Sequence, residues 1–332
     1  MPYQDVMRSI ALFGSEVVPA LHAITLPPYA SATGPSPGTP ARTRQGCGGG
    51  QPKPARWGRI ASERRDEMAD TQDYTDERID VAGTRVQVLK GGSGTPLLFL
   101  HGAGGNPGWL PYHQALAQQY TVYAPSHPGY DRSSRPDWIS TMTDMAHFYR
   151  QFIEALGIAP VHLMGASMGG WLAAEVAAMC PPYLKSLVLV DAAGLKPQVG
   201  EIAEILIVSP DVTAKLQFYD TTQVPDSERL VNRQLTPEEQ DTQWRNREMT
   251  SRLCWKPYFH NPNLSGYLRG VTTPTLIVWG KQDAIMPVNC GELYQQALAN
   301  ATLHVIDRCG HSPAVEKPQE FLTTVRTFLA KQ

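Results

Sequence analysis

The sequence predicts an α/β fold: an eight-stranded, mostly parallel sheet flanked by helices, with a helical cap inserted ahead of the last two strands. Three observations lead there. Beyond Met68, short apolar runs alternate with helical patterns, the signature of parallel strands joined by crossover helices. Runs such as Pro96-Leu-Leu-Phe-Leu100 and Leu187-Val-Leu-Val190 lack polar alternation, as strands covered on both faces should. Between Leu195 and about Leu268 no strand pattern occurs, and helical patterns follow one another.

Taken in order, Val6, Ile10, Phe13, Val17 and Leu21 recur at spacings of three or four, which predicts an amphipathic helix over 4–22. From Leu26 to Arg59 the chain is dense in Pro, Gly, Ser and Thr, too poor in apolar residues to offset the entropy of ordering, and reads as a linker. The basic residues from Arg42 to Arg65 read as a solvated tail. Strands are expected over 76–81, 84–90, 96–100, 120–124, 160–165, 186–190, 274–279 and 301–306, and helices over 141–156, 168–179, 289–299 and 317–330. In the insertion, Thr236-Pro237-Glu238-Glu239 supplies an N-cap, a first-turn proline and a glutamate at the third position, so a helix starts there. The expected organisation is a tail of residues 1–67, a core of 68–194 and 269–332, and a cap of 195–268. Nothing in 1–67 supplies a residue that the core lacks, and a chain starting at Met68 is expected to work as the whole does.

At 332 residues and 42% hydrophobic content, the chain can bury one large core together with a lid. A net charge of -2 provides no positive field for phosphates, which argues against nucleic acid and for a small-molecule ligand. Cys47, Cys180, Cys254, Cys290 and Cys309 are odd in number and show neither a C-x-x-C pair nor metal-ligand spacing. They read as reduced thiols in a cytoplasmic protein that uses no metal or other cofactor. No run is long and apolar enough for a membrane span, and Asp5, Arg8 and Glu16 interrupt any signal-peptide pattern. Composition leaves the oligomeric state open.

Gly165-Ala166-Ser167-Met168-Gly169 follows the apolar run Val161-His-Leu-Met164 and precedes a helical pattern, so a tight glycine-flanked turn exposes the Ser167 hydroxyl between strand and helix. Gly34-Pro35-Ser36-Pro37-Gly38 has the same spacing, but no strand precedes it and Pro37 has no N–H to offer an oxyanion. Where such a turn carries a nucleophile the chain order is serine, acid, histidine, which leaves His260, His304 and His311 as bases. His304 lies within a strand pattern and His260 within the insertion, whereas His311 follows the last strand in a loop and is the candidate general base. Two acids leave strand ends, Asp191 and Asp283. Asp283 is preferred as the orienting carboxylate because it lies beyond the Gly280 turn, free to approach His311. The backbone N–H groups of Met168 and of Ala103, in His101-Gly102-Ala103-Gly104-Gly105, are the candidate oxyanion donors. His101 is expected to organise its own loop. Trp109, Phe218, Trp255 and Phe259 are candidate lining residues of an apolar pocket.

With these motifs in order, the chain from about Asp76 to Lys331 resembles the α/β-hydrolase superfamily, in its lid-bearing branch of esterases, haloperoxidase-like enzymes and carbon–carbon-bond hydrolases. The segments Pro274-Thr-Leu-Ile-Val-Trp-Gly280-Lys-Gln-Asp283, Gly310-His311 with Glu316-Lys-Pro318, and His127-Pro-Gly129-Tyr-Asp131-Arg-Ser133 add to that likeness. The resemblance implies a serine hydrolase that cleaves a carboxylic ester or related acyl compound through an acyl-enzyme. Serine at 167, where dehalogenases and epoxide hydrolases of the superfamily carry aspartate, argues against both reactions. The loop Ala103-Gly-Gly-Asn-Pro-Gly108-Trp109, and Ser312 after His311, depart from the ring-fission-product hydrolases and rank carbon–carbon cleavage second, beside haloperoxidase-like chemistry. A non-catalytic ligand-binding sensor on the same fold is the alternative of another class. Residues 1–21 resemble the C-terminal helix of luciferase-like flavin monooxygenases, but carry no flavin-binding element.

Overall fold

The structure is a computed structural model that describes residues 73–224 and 235–332. The helix expected over 4–22, the linker and the proposed start at Met68 lie outside the described residues.

Eight strands form one sheet: β1 (Tyr74–Val81), β2 (Thr84–Gly91), β3 (Thr95–Leu100), β4 (Tyr120–Pro125), β5 (Val161–Ala166), β6 (Leu184–Val190), β7 (Thr275–Gly280) and β8 (Ala301–Ile306). Their order is β1-β2-β4-β3-β5-β6-β7-β8. β1 and β2 form a hairpin because Ala82 and Gly83 both take positive φ, 50° and 74°, as a two-residue turn between right-twisted strands requires. β2 pairs antiparallel with β4, and every later pairing is parallel.

Each central strand divides its side chains between two cores. Leu98, Leu100, Leu163, Leu187, Leu189, Ile277 and Trp279 enter one cluster, and their neighbours Leu97, Phe99, Met164, Val188, Leu276 and Val278 enter the other. That is the two-residue period of a strand buried on both faces, and it explains why these runs show no polar alternation. The first cluster is roofed by α2 (Met142–Leu156), α3 (Met168–Met179) and α7 (Asn289–Ala297), the second by α1 (Pro111–Ala117) and α9 (Pro318–Leu329). α2 starts on a capping box of Thr141 and Asp144 and stops at Gly157, whose φ of 61° closes the helix in the left-handed region.

The chain leaves β3 to pair β4 on one side, then returns to place β5 on the other side of β3. Strand order reverses there, and a crevice opens at the carboxyl ends of β3 and β5. The segment between β6 and β7 carries α4 (Pro210–Gln217), α5 (Pro237–Cys254) and α6 (Leu264–Leu268), and no strand among its described residues. α5 begins at the expected place: Thr236 accepts from the Glu239 N–H, and the Glu239 carboxylate accepts from the Thr236 N–H at 3.0 Å. The two ends of the insertion meet, since Gly194 N–H donates to Phe259 O at 3.0 Å and Asn261 N–H to Gly194 O at 2.9 Å.

α1 was not foreseen; the helix expected over 317–330 is α9, and just ahead of it stands an unforeseen short helix, α8 (Pro313–Glu316). Lys317 separates them at φ −131°, ψ 56°, because the ring of Pro318 drives the preceding residue out of the helical region.

Candidate active site

Ser167 sits on the turn between β5 and α3 at φ 54°, ψ −120°, a conformation that costs a non-glycine residue about 1–3 kcal/mol. The surrounding hydrogen bonds impose it. Ser167 N–H donates to Val190 O at 2.9 Å, and Ser167 O accepts from Gly170, Trp171 and Ala193 at 2.9, 3.2 and 3.0 Å. The glycines are steric necessities: a Cβ at 165 would lie 2.1 Å from Gly169 O, and one at 169 would lie 2.1 Å from Leu100 O. Met168 is the first residue of α3, so its N–H belongs to the helical donors without an intrahelical acceptor.

The loop after β3 lies directly against the serine; a Cβ on Gly102 would be 3.2 Å from Ser167 Cβ and 3.7 Å from its Oγ. Three successive carbonyls of that loop are held by side chains, the last two from outside it. Gly102 O accepts from His101 Nδ1 at 2.8 Å, Ala103 O from Thr250 Oγ1 at 2.8 Å, and Gly104 O from Asn246 Nδ2 at 3.0 Å. The tautomers follow by counting protons. His127 N–H donates to His101 Nε2 at 2.9 Å, so the proton of His101 is on Nδ1. His127 Nε2 donates to His101 O, and its Nδ1 accepts from the Tyr149 hydroxyl. His101 thus braces its own loop. Burial holds His127 well below the ordinary histidine range, with His101 beside it pushing the same way, so it is a neutral strut.

At the ends of β7 and β8 the structure joins Asp283 to His311: Nδ1 of the imidazole lies 2.6 Å from Oδ2, with the side chains only 7% and 0% exposed. Asp283 Oδ1 accepts from Ile285 N–H at 2.7 Å and Met286 N–H at 2.9 Å. The histidine loop is fixed by His311 N–H to Gln217 O at 2.8 Å and by Gly310 N–H to Glu316 Oε1 at 2.8 Å. Asp191, at the end of β6, is the neighbouring acid. It is 1% exposed, its Oδ1 accepts only from Gly280 N–H at 2.8 Å, and its Oδ2 is buried without a partner. Burial first, and then the adjacent Asp283, push the Asp191 carboxyl well above its usual range. Two carboxylates in one dry site compete for one charge. Asp283 has two backbone donors and an imidazole, Asp191 a single donor, so the charge rests on Asp283 and the proton on Asp191.

Asp191, Asp283 and His311 each offer an atom within 4.8 Å of the others, the one such cluster among the described residues. The imidazole–carboxylate hydrogen bond uses two of the three, which favours proton handling over metal ligation. The serine–histidine contact is not formed: among the described residues Ser167 Oγ has no hydrogen-bond partner. Catalytic hydrogen bonds are often loose until substrate is bound. His304 lies on β8 and meets Glu320 at 3.1 Å, and His260 Nδ1 meets Tyr258 O at 2.9 Å; neither joins this cluster.

The four aromatic candidates do not form one lining. Trp109 stacks on Tyr74 at a centroid distance of 5.0 Å and donates to Gln114. Phe259 is fully buried in the first core, while Trp255 is 54% exposed. Phe218 alone is buried beside the histidine loop, its backbone 2.9 Å from where a Cβ on Gly310 would sit. Which of these rings is covered is decided by the element each one faces. Sequence reasoning also missed Asn246 and Thr250. They lie with Met249, Leu253 and Cys254 on the buried stripe of α5, and polar residues at core positions of that stripe were the available signal.

The Alpha/beta hydrolase family matches residues 97–324, more than half of the chain. A 2-hydroxy-6-oxo-6-(2'-aminophenyl)hexa-2,4-dienoic acid hydrolase of Metapseudomonas resinovorans is 26% identical over 277 residues, 78% of this chain and 92% of the relative. The monoacylglycerol lipase of Mus musculus is 28% identical over 256 residues, 70% of this chain and 75% of the relative. Among solved structures, a membrane phospholipase A described as a bacterial virulence factor superposes with a TM-score of 0.68 at 27% identity, covering 83% of this chain and 91% of that one. Eight strands in this order, a strained serine turn at the switch point and a matched span that takes in that turn and the strands from β4 to β8 make the chain a member of the alpha/beta hydrolase family.

Proposed function

We propose that the chain hydrolyses a small apolar carboxylic ester or related acyl compound through an acyl-enzyme on Ser167. The observation that carries this reading is the buried 2.6 Å hydrogen bond between His311 and Asp283, on the same sheet edge as the strained serine turn. With its Nδ1–H held by the carboxylate, the imidazole keeps a lone pair on Nε2. It takes the Ser167 proton as Oγ attacks the acyl carbon, and returns that proton to the leaving alcohol. The Ala103 and Met168 N–H groups receive the carbonyl oxygen as it gains charge, aided by the N-terminus of α3. Water activated by the same imidazole then releases the acid. The lipase among the relatives supports an ester substrate.

Carbon–carbon cleavage is the second reading, favoured by the relative named as a dienoic acid hydrolase. A fluorophosphonate should label Ser167 and nothing in Ser167→Ala. A series of activated esters of increasing acyl length, run beside a 2-hydroxy-6-oxo-hexa-2,4-dienoate, then separates the two. Turnover of the dienoate alone would move the assignment to carbon–carbon cleavage. An unlabelled, inactive protein would leave the fold as a binding module. No described helix is long and apolar enough to cross a membrane.

A further inference from the structure

We propose that Thr250, on the cap helix α5, is a positioning residue for the oxyanion hole, tying the seating of the cap to the Ala103 donor at the serine. The proposal rests on the assignment of Ala103 as that donor.

Thr250 is 1% exposed and its Oγ1 meets two groups at 2.8 Å, the Ala103 carbonyl and the Tyr130 hydroxyl. A carbonyl can only accept, so the Thr250 proton goes to Ala103 O, and the Tyr130 proton must then go to Thr250 Oγ1. The same Tyr130 oxygen lies 3.4 Å from Met168 Sδ. Thr250 thus holds Ala103 directly, while Tyr130, its proton committed to Thr250, meets the Met168 side chain only as a buried packing contact. The dependence of the loop on this anchor follows from its composition. Gly102, Gly104 and Gly105 flank or follow Ala103, and a Cβ on Gly104 would touch nothing within 4 Å, so at Gly104 packing leaves the backbone room to shift.

Hydrogen bonds hold it there, and two of the three side-chain ones come from adjacent turns of α5. Asn246, four residues before Thr250, holds Gly104 O with Nδ2 while the same amide meets Asp131 Oδ1 at 2.8 Å and its Oδ1 accepts from Asp131 N–H at 2.8 Å. α5 therefore grips consecutive carbonyls of the loop with an i, i+4 pair. Rotating the Ala103 peptides by a small angle leaves the substrate bound but moves a donor away from the developing charge, which is a loss felt in the transition state.

The test is Thr250→Val, which keeps shape and removes both the donor and the acceptor, assayed by ester turnover and by thermal melting. Expected is a fall in kcat of about 10- to 100-fold with KM within about twofold, the pattern of a displaced transition-state contact. Thr250→Ser, which restores the hydroxyl, should recover kcat to within about threefold of the parent. A change in KM alone, an unchanged kcat, or a serine variant as slow as the valine one overturns the proposal. Should Thr250→Val fail to fold, Thr250→Ala is read by the same criteria, and failure of both to fold marks Thr250 as structural and also overturns it. Ser167→Ala separates this from the underlying reading. If that variant still turns over ester, the serine assignment itself has failed; if it is dead while Thr250→Val is normal, only the positioning role has.

Discussion

Replacing Asp283 by asparagine isolates the carboxylate's part in turnover, and its size can be worked from the hydrogen bonds. Oδ1 accepts from two backbone N–H groups at 2.7 and 2.9 Å, and Oδ2 receives the His311 Nδ1 proton at 2.6 Å. An asparagine has one accepting and one donating end. The two N–H groups of Ile285 and Met286 claim the amide oxygen, since the opposite orientation would set donor against donor twice. The amide NH2 then faces His311 Nδ1, which must accept, so the imidazole proton moves to Nε2. That nitrogen is the one proposed to receive the serine proton. The wrong tautomer should lower kcat by about 10⁴, or about 5.5 kcal/mol of barrier, with KM little changed. Both loop hydrogen bonds survive, so the melting temperature should fall by no more than a few degrees. Steady-state hydrolysis of an activated aryl ester, with thermal melting alongside, measures both. Asp191→Asn is the control. Its carbonyl can take the Gly280 N–H and its NH2 replaces the proton that Asp191 holds, so kcat should stay within about tenfold. An Asp283→Asn variant within tenfold of the parent, or a reversal of the two effects, would falsify the assignment of Asp283.

Ser167→Ala should lower turnover by about 10³-fold or more with the protein folded, whereas Ser167→Gly should be equally inactive yet more stable than Ser167→Ala, since only glycine relieves the positive φ; equal melting temperatures would contradict the strain. Asp191 carries a carboxyl raised by burial, so its stabilising share is complete below the unfolded carboxylate range and is lost as pH rises toward the raised value. Urea titrations from pH 4 to 8 should therefore show Asp191→Asn gaining on the parent by up to about 1.4 kcal/mol per pH unit, and a constant difference would remove the neutral acid. His113 has the opposite sign: burial lowers it to about 3, so its contribution is present above pH ~6.5 and is lost as pH falls toward that value. His113→Asn, whose amide oxygen can take over the Leu110 N–H held at 3.0 Å, should accordingly be penalised less at pH 4 than at pH 7, and a penalty that grows in acid would refute a neutral buried ring.

Most of the sheet was legible because its central parallel strands, buried on both faces, leave unbroken apolar runs, and all eight expected spans fell on strands. The motifs were legible for a different reason: Gly165 and Gly169 are where a Cβ would strike a carbonyl, so chemistry and sterics coincide on the same letters. What escaped depends on the facing element. Whether Phe259 or Trp255 is covered cannot be read from a helical pattern, and α1, seven residues long, is too short for a period to register. Asp283 was told from Asp191 in sequence only by its place beyond the Gly280 turn; how many N–H groups the fold aims at each was not legible there. Thr250 and Asn246 were hidden by a helix whose overall polarity suggested solvent, although their spacing with Met249 and Leu253 set them on its covered side.

The junction at Gly194, where the chain leaves the sheet and meets its own return at Phe259 and Asn261, makes the cap exchangeable. Two backbone hydrogen bonds close the neck, so the chain enters and leaves the sheet at one place whatever the length above, and lengthening a closed loop adds little entropy cost. Substrate preference could then be changed by grafting a foreign segment between those residues while the sheet-edge chemistry is retained. Such a graft would have to bring its own donors for the carbonyls of Ala103 and Gly104, and its own acceptor for the His311 N–H in place of Gln217 O. A chimera that ignores them should fold and bind, and turn over slowly.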